Sequence, residues 1–197
     1  MFKRSIYLAG LTLVAAALLG STQCQNNNNN GVGPNGPNFV TTLAVEDASG
    51  NAASNFSPGQ QIQFVLSVRN RSTTSQTISF NTAQQYNFVV LNSGSATEVW
   101  TWALSRSFAQ TTSSLTIPAG QTQTFTVVWD QMPDNSSQLV PSGNYEAIAG
   151  LTCVNSSSSS SSSPSSAANN CMPTGVPGSG DLVPSVYIST LVPFTIQ

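Results

Sequence analysis

The sequence contains no histidine, so its chemistry rests on a short roster of other side chains. Without imidazole there is no Ser-His-Asp or Cys-His nucleophile, no His-ligated zinc and no histidine proton shuttle near neutral pH. Lys3 is the single lysine, and a Ser-Lys pair or a Schiff base would depend on it alone. The acidic residues are scattered, without the pairing that acid-base catalysis requires. Asp130, Asp134 and Asn135 share one stretch and carry oxygen ligands suited to calcium, but their spacing matches no EF-hand loop. Asx residues in such stretches cap their own backbone, so neither a metal nor a cofactor is expected. The protein reads as a non-enzyme. What remains is recognition chemistry: Trp100, Trp102 and Phe108, with Trp129, are candidates for an exposed aromatic platform for a glycan or a partner, the alternative being packing within the sheet.

Charge is scarce. Five Lys plus Arg and seven Asp plus Glu make up 6% of the 197 residues, against about 25% in an average soluble domain. Hydrophobic residues still make up 39%, so Ser, Thr, Asn and Gln have replaced the charges. This is not the composition of a chain disordered throughout, which couples low hydrophobicity to high charge. A formal charge of −2 and a pI near 4.7 give no basic footprint for nucleic acid.

Residues 1–23 read as an export signal: Lys3 and Arg4, then the apolar stretch from Ile6 to Leu19, then small polar residues. The stretch is shorter than the roughly 20 residues of a transmembrane helix. Cys24 stands where a lipoprotein carries its lipid, although Ser21 and Gln23 depart from the usual signal before such a cysteine. Residues 24–38, rich in Asn, Gly and Pro, form a polar tether. The expectation is therefore an exported protein, either lipid-anchored at the cell envelope through Cys24 or released after ordinary cleavage. Membrane contact would then be through that anchor alone. Cys153 and Cys171 are left as a pair around a Ser-rich insert at 154–170; a disulfide there would contribute about 3 kcal/mol, the alternative being two reduced thiols.

From residue 39 to 197 the dominant signal is alternation with period two, as in Ile62, Phe64, Leu66 and Val68. Similar stretches occur at Phe39 to Val45, Gln76 to Phe80, Tyr86 to Leu91, Thr97 to Trp102, Gln121 to Trp129, Tyr145 to Leu151 and Val186 to Ile196. Turn residues separate them at Ser57-Pro58-Gly59, Asn92-Ser93-Gly94, Pro118-Ala119-Gly120 and Pro141-Ser142-Gly143-Asn144. About eight short strands with no helical periodicity predict one all-β domain, an antiparallel sandwich. Asn55, Asn70, Asn135 and Asn155 each begin an Asn-x-Ser glycosylation pattern.

Phe56-Ser57-Pro58-Gly59-Gln60 leading into Phe64 to Asn70 is similar to the opening of the BsuPI family of proteinase inhibitors. The similarity continues through Ile78-Ser79-Phe80, Gln85 to Val90, Val99-Trp100-Thr101-Trp102 with Phe108, Ile117 to Gln121, Val128-Trp129 and Gly143 to Gly150. Asn87 stands where that pattern has an acidic residue. The resemblance implies an immunoglobulin-like sandwich that binds a serine protease through an exposed loop. Candidate loops surround Leu104 and Arg106, and Met132; Arg106 would suit a trypsin-like pocket, Leu104 or Met132 a subtilisin-like one. The competing expectation is an envelope-anchored structural or interaction module, with an envelope protein as partner and no inhibitory activity.

Overall fold

The computed structural model describes residues 38–152 and 187–197. The signal segment, Cys24, the tether up to residue 37, Cys153, Cys171 and the Ser-rich insert lie outside the described residues. Among those described are ten strands: β1 (Phe39–Glu46), β2 (Asn55–Phe56), β3 (Ile62–Asn70), β4 (Gln76–Phe80), β5 (Tyr86–Asn92), β6 (Glu98–Thr101), β7 (Ser113–Ile117), β8 (Thr122–Trp129), β9 (Gly143–Leu151) and β10 (Val192–Ile196). Strands β1-β3-β8 form one sheet, β2-β10-β9-β5-β6 the second, and β4-β7 a two-stranded pair.

The two larger sheets face each other across an aromatic core. Phe64 of β3 lies 6.5 Å from Phe88, 6.1 Å from Trp100 and 6.0 Å from Phe194 of the opposite sheet, and 6.2 Å from Trp129 beside it. Such tilted and offset pairs add to the burial of area itself. The fold is the all-β sandwich that the alternation predicts, because each strand of period two has one apolar face that only a second layer can cover. At the start of β9 the Tyr145 hydroxyl donates to the Pro141 carbonyl at 2.6 Å. This local corner is a hallmark of immunoglobulin-like sandwiches.

Strand β3 continues into β4 and β7 into β8, so the β3–β8 and β4–β7 pairs are successive stretches of one bent antiparallel ribbon. Asn70 pins the bend. It is fully buried, and its Nδ2 donates to the carbonyls of Thr74, Ile117 and Pro118 at 2.8, 2.9 and 3.2 Å. Its Oδ1 accepts from the Ser72 amide and hydroxyl. The Asn70-Arg71-Ser72 pattern is thus no glycosylation site in the folded chain, because the nitrogen that would carry the sugar is enclosed and bonded.

Four details of the strands differ from the expectation. Strand β2 pairs with β10 in parallel, so the sandwich is not wholly antiparallel. Strands β2 and β7 are additional to the eight read from alternation. Among the described residues of the last predicted stretch, only Val192–Ile196 is a strand, preceded by a single bridge between Ile188 and Gly150. Strand β5, read as alternating, is apolar on both faces: Phe88 and Val90 join the main core, while Val89 and Leu91 pack with Ile148 and Ile188 on the other side. A central strand covered on both sides carries a continuous apolar run.

Candidate partner-binding site

Two loops are tied to one strand edge. Strand β6 ends the five-stranded sheet, and the backbone groups on such an edge need cover. Asp134 supplies it: its amide donates to the Val99 carbonyl at 3.1 Å, and its Oδ2 accepts the Thr101 amide at 2.7 Å. The Thr101 carbonyl accepts the Leu104 amide at 3.1 Å, and the Ala103 carbonyl accepts the Arg106 amide at 3.1 Å. Residues 101–106 therefore make two consecutive turns with Leu104 at the tip, 45% exposed. The loop from Asp130 to Val140 carries Met132, 40% exposed, and Leu139, 42% exposed.

The second loop is fixed along its length. Gln131 sits at φ 63° and is fully buried. Its Nε2 donates to the Ser57 and Gln60 carbonyls at 2.9 and 2.8 Å, and its Oε1 accepts the Gly59 amide at 2.8 Å. It thereby locks the turn at Pro58-Gly59, where φ of 76° at Gly59 suits glycine. The Gln131 carbonyl accepts the Val140 amide at 2.8 Å, which closes the loop. Met132 between these anchors has its amide bound by Asp130 Oδ1 at 3.2 Å and its carbonyl by Trp129 Nε1 at 2.7 Å.

The first loop is held by rings. Trp102 stacks on Tyr86 at 4.6 Å and contacts Phe108 at 5.7 Å, while the Arg106 guanidinium lies 4.5 Å from the centre of the Trp102 ring. Tyr86 in turn meets Phe125 at 4.5 Å. Asn87 staples the loop's beginning, its Oδ1 accepting the amides of Phe88 at 2.9 Å and Ala103 at 3.2 Å. These are acceptor tasks that a carboxylate could also perform.

The aromatic candidates separate on inspection. Trp100 packs between Phe64 and Trp129, the latter at 5.8 Å, and is partly buried against the core. Trp102 and Phe108 are half-buried at the margin of the sandwich. Asp130 caps a local turn as expected, whereas Asp134 reaches across to β6. Residues 130, 134 and 135 therefore do not act as one loop cluster.

Asp134 meets a second acid that sequence reading left aside. Burial pushes the Glu98 carboxyl up from its usual range, the charge of Asp134 pushes the same way, and the neighbouring Thr101 hydroxyl opposes both. Burial also raises Asp134, with the Thr101 amide opposing. Gln131, Asn70, Asn87, Glu98 and Thr101 were all missed as site or framework residues. For two of them a signal was present: Asn70 and Gln131 continue the inward phase of Phe64-Leu66-Val68 and Val127-Trp129, at places where a polar residue must be bonded.

Residues 50–156 match the BsuPI family, described as intracellular proteinase inhibitor. No curated protein matches the sequence. Among solved structures, the alkylpurine DNA glycosylase AlkC of Pseudomonas fluorescens is 8% identical with a TM-score of 0.40, covering 82% of this chain; the chain spans 31% of that protein. The CARDB domain of the PF1109 protein from Pyrococcus furiosus is 9% identical with a TM-score of 0.36, over 80% of this chain and 93% of that one. The sporulation control protein Spo0M of Bacillus subtilis is 14% identical with a TM-score of 0.30, over 58% and 44%. With the family match covering more than half of the sequence, and the matched segment folded as a β-sandwich, the chain belongs to the BsuPI family of proteinase inhibitors.

Proposed function

We propose that this protein inhibits a serine protease through the Asp130–Val140 loop, with Met132 entering the protease's primary pocket and the Leu104 turn flanking it. The observation that carries the reading is Met132 itself: an exposed apolar side chain on a backbone tied at both its amide and its carbonyl. Such a loop loses little conformational freedom on binding, which favours affinity. An apolar side chain there fits a subtilisin-like pocket. Arg106 is the weaker candidate, because its guanidinium already rests on Trp102.

The tied carbonyl favours one mode. A substrate-like inhibitor offers its carbonyl to the protease's oxyanion hole; that of Met132 is occupied by Trp129. The loop presents a side chain and a shape, not a scissile bond, and the inhibitor emerges from the complex uncleaved. The partner is encountered outside the cytoplasm, a reading supported by the N-terminal signal and by Cys24.

Titration of subtilisin and trypsin with the full chain tests this. Stoichiometric inhibition of subtilisin is expected, weakened roughly a hundredfold in Met132→Ala if that side chain is an anchor, and little changed in Arg106→Ala. No inhibition of either protease at micromolar concentration would sink the proposal. In that event, a cell-envelope pull-down that recovers a surface assembly without a protease would favour the structural module. Mass spectrometry of the mature N-terminus tests the anchor, which an unmodified terminus would refute.

A further inference from the structure

The strand edge under the two loops holds an electrostatic anomaly. Glu98 and Asp134 are brought together at Thr101 from positions far apart in the chain, and the influences on both carboxyls include no positive charge. Glu98 Oε2 and Thr101 Oγ1 are buried without a hydrogen-bond partner, although the Thr101 hydroxyl lies close enough to Glu98 to act on it. Thr101 is itself completely buried. A buried oxygen without a donor forfeits its hydration, and two neighbouring carboxylates compound that cost. The bond from the Thr101 amide to Asp134 Oδ2, with the unpartnered Glu98 Oε2 and Thr101 Oγ1, leaves side-chain oxygens of three residues at this edge with acceptor capacity to spare.

We propose that Glu98, Asp134 and Thr101 bind a hard divalent cation of the calcium class. Two carboxylates balance its charge and the Thr101 hydroxyl supplies a neutral oxygen. Calcium accepts six to eight oxygen ligands in flexible geometry, with water filling the positions the protein leaves open. Asp134 keeps Oδ2 on the Thr101 amide and offers its other oxygen. The ion clamps the loop bearing Met132 to β6. This binding does not depend on protease inhibition, since it concerns only the framework that holds the loop.

Terbium is the probe, because Trp100 lies between Glu98 and Thr101 in sequence and can sensitise its emission. With the metal-stripped full chain at neutral pH, tryptophan excitation is expected to give saturable terbium emission at one ion per chain, displaced by calcium. In Glu98→Gln, which keeps the side-chain shape and removes the charge, the affinity falls roughly tenfold or more. Thr101→Val, which removes only the hydroxyl oxygen, is read in the same way should the first variant fold poorly. Calcium is also expected to raise the unfolding temperature of the parent chain and not of Glu98→Gln. Absent or unsaturable emission, unchanged affinity in both variants, or an equal thermal shift in parent and Glu98→Gln would overturn the proposal.

Discussion

The two loops at the β6 edge are held by different physics. The Asp130–Val140 loop is pinned by directional hydrogen bonds from Gln131 and Asp134 to backbone groups distant in sequence. The segment from Trp102 to Phe108 is held after its initial turns by ring contacts and by Arg106 over indole. Hydrogen bonds specify one geometry, and each lost partner leaves a buried group uncompensated. Stacked rings bury area and tolerate sliding. The bonded loop is therefore the one suited to presenting a side chain at a fixed place, and the stacked segment the one suited to sealing the margin of the sandwich.

Gln131→Ala should break the contrast most strongly. It strands the Gln60 carbonyl and the Gly59 amide, leaves the Ser57 carbonyl with the Gln60 amide alone, and should cost about 3 kcal/mol in denaturant unfolding. Limited proteolysis should then move into residues 130–140. A loss well under 1 kcal/mol would mean that the side chain merely fills space. Trp102→Ala should cost about 2 kcal/mol, because a half-buried indole with two ring neighbours is lost, and new cleavage should appear near Leu104 without exposing Met132. If both loops became sensitive together, they would be one unit and the distinction would fail.

Arg106→Ala should cost less than about 1 kcal/mol, the range of an exposed cation over a ring. A chemical denaturation series with Trp102→Phe alongside separates ring area from charge. The smallest effect concerns pH. Glu98 and Asp134 have folded-state pKa values raised above their ordinary values, so the folded chain holds these protons more tightly than the unfolded one. With divalent cations removed, stability should rise as pH falls from neutral toward the ordinary carboxyl range. It should be lost again as pH rises through the raised folded values. Glu98→Gln should flatten that dependence; an unchanged profile would place its cause elsewhere.

The strands were legible to different degrees for identifiable reasons. Strands β3 and β8 alternate over their full length, and their boundaries follow from Pro-Gly and Pro-Ala-Gly turns. Strand β7 carries only Leu115 and Ile117 among Ser and Thr, too little pattern to read. The two-residue β2 exists only because β10, more than 130 residues later in the chain, offers it an edge. Trp100 and Trp102 were readable as two aromatics on one face, but not as two partly buried rings with different neighbours. That difference depends on Phe64 and Trp129 facing Trp100, and on Tyr86 and Arg106 meeting Trp102.

By itself the sequence determined a histidine-free, charge-poor all-β chain with BsuPI motifs, since composition and period-two alternation are local properties of consecutive residues. Only the tertiary structure decided which polar residues are framework, that Asn70 is enclosed, that Gln131 locks a turn more than 70 residues away, and that Glu98 meets Asp134. Those facts depend on how two sheets stack and which edge a loop crosses. Such contacts have no signature in residue spacing, because the chain between the partners is free to take any route that the core permits.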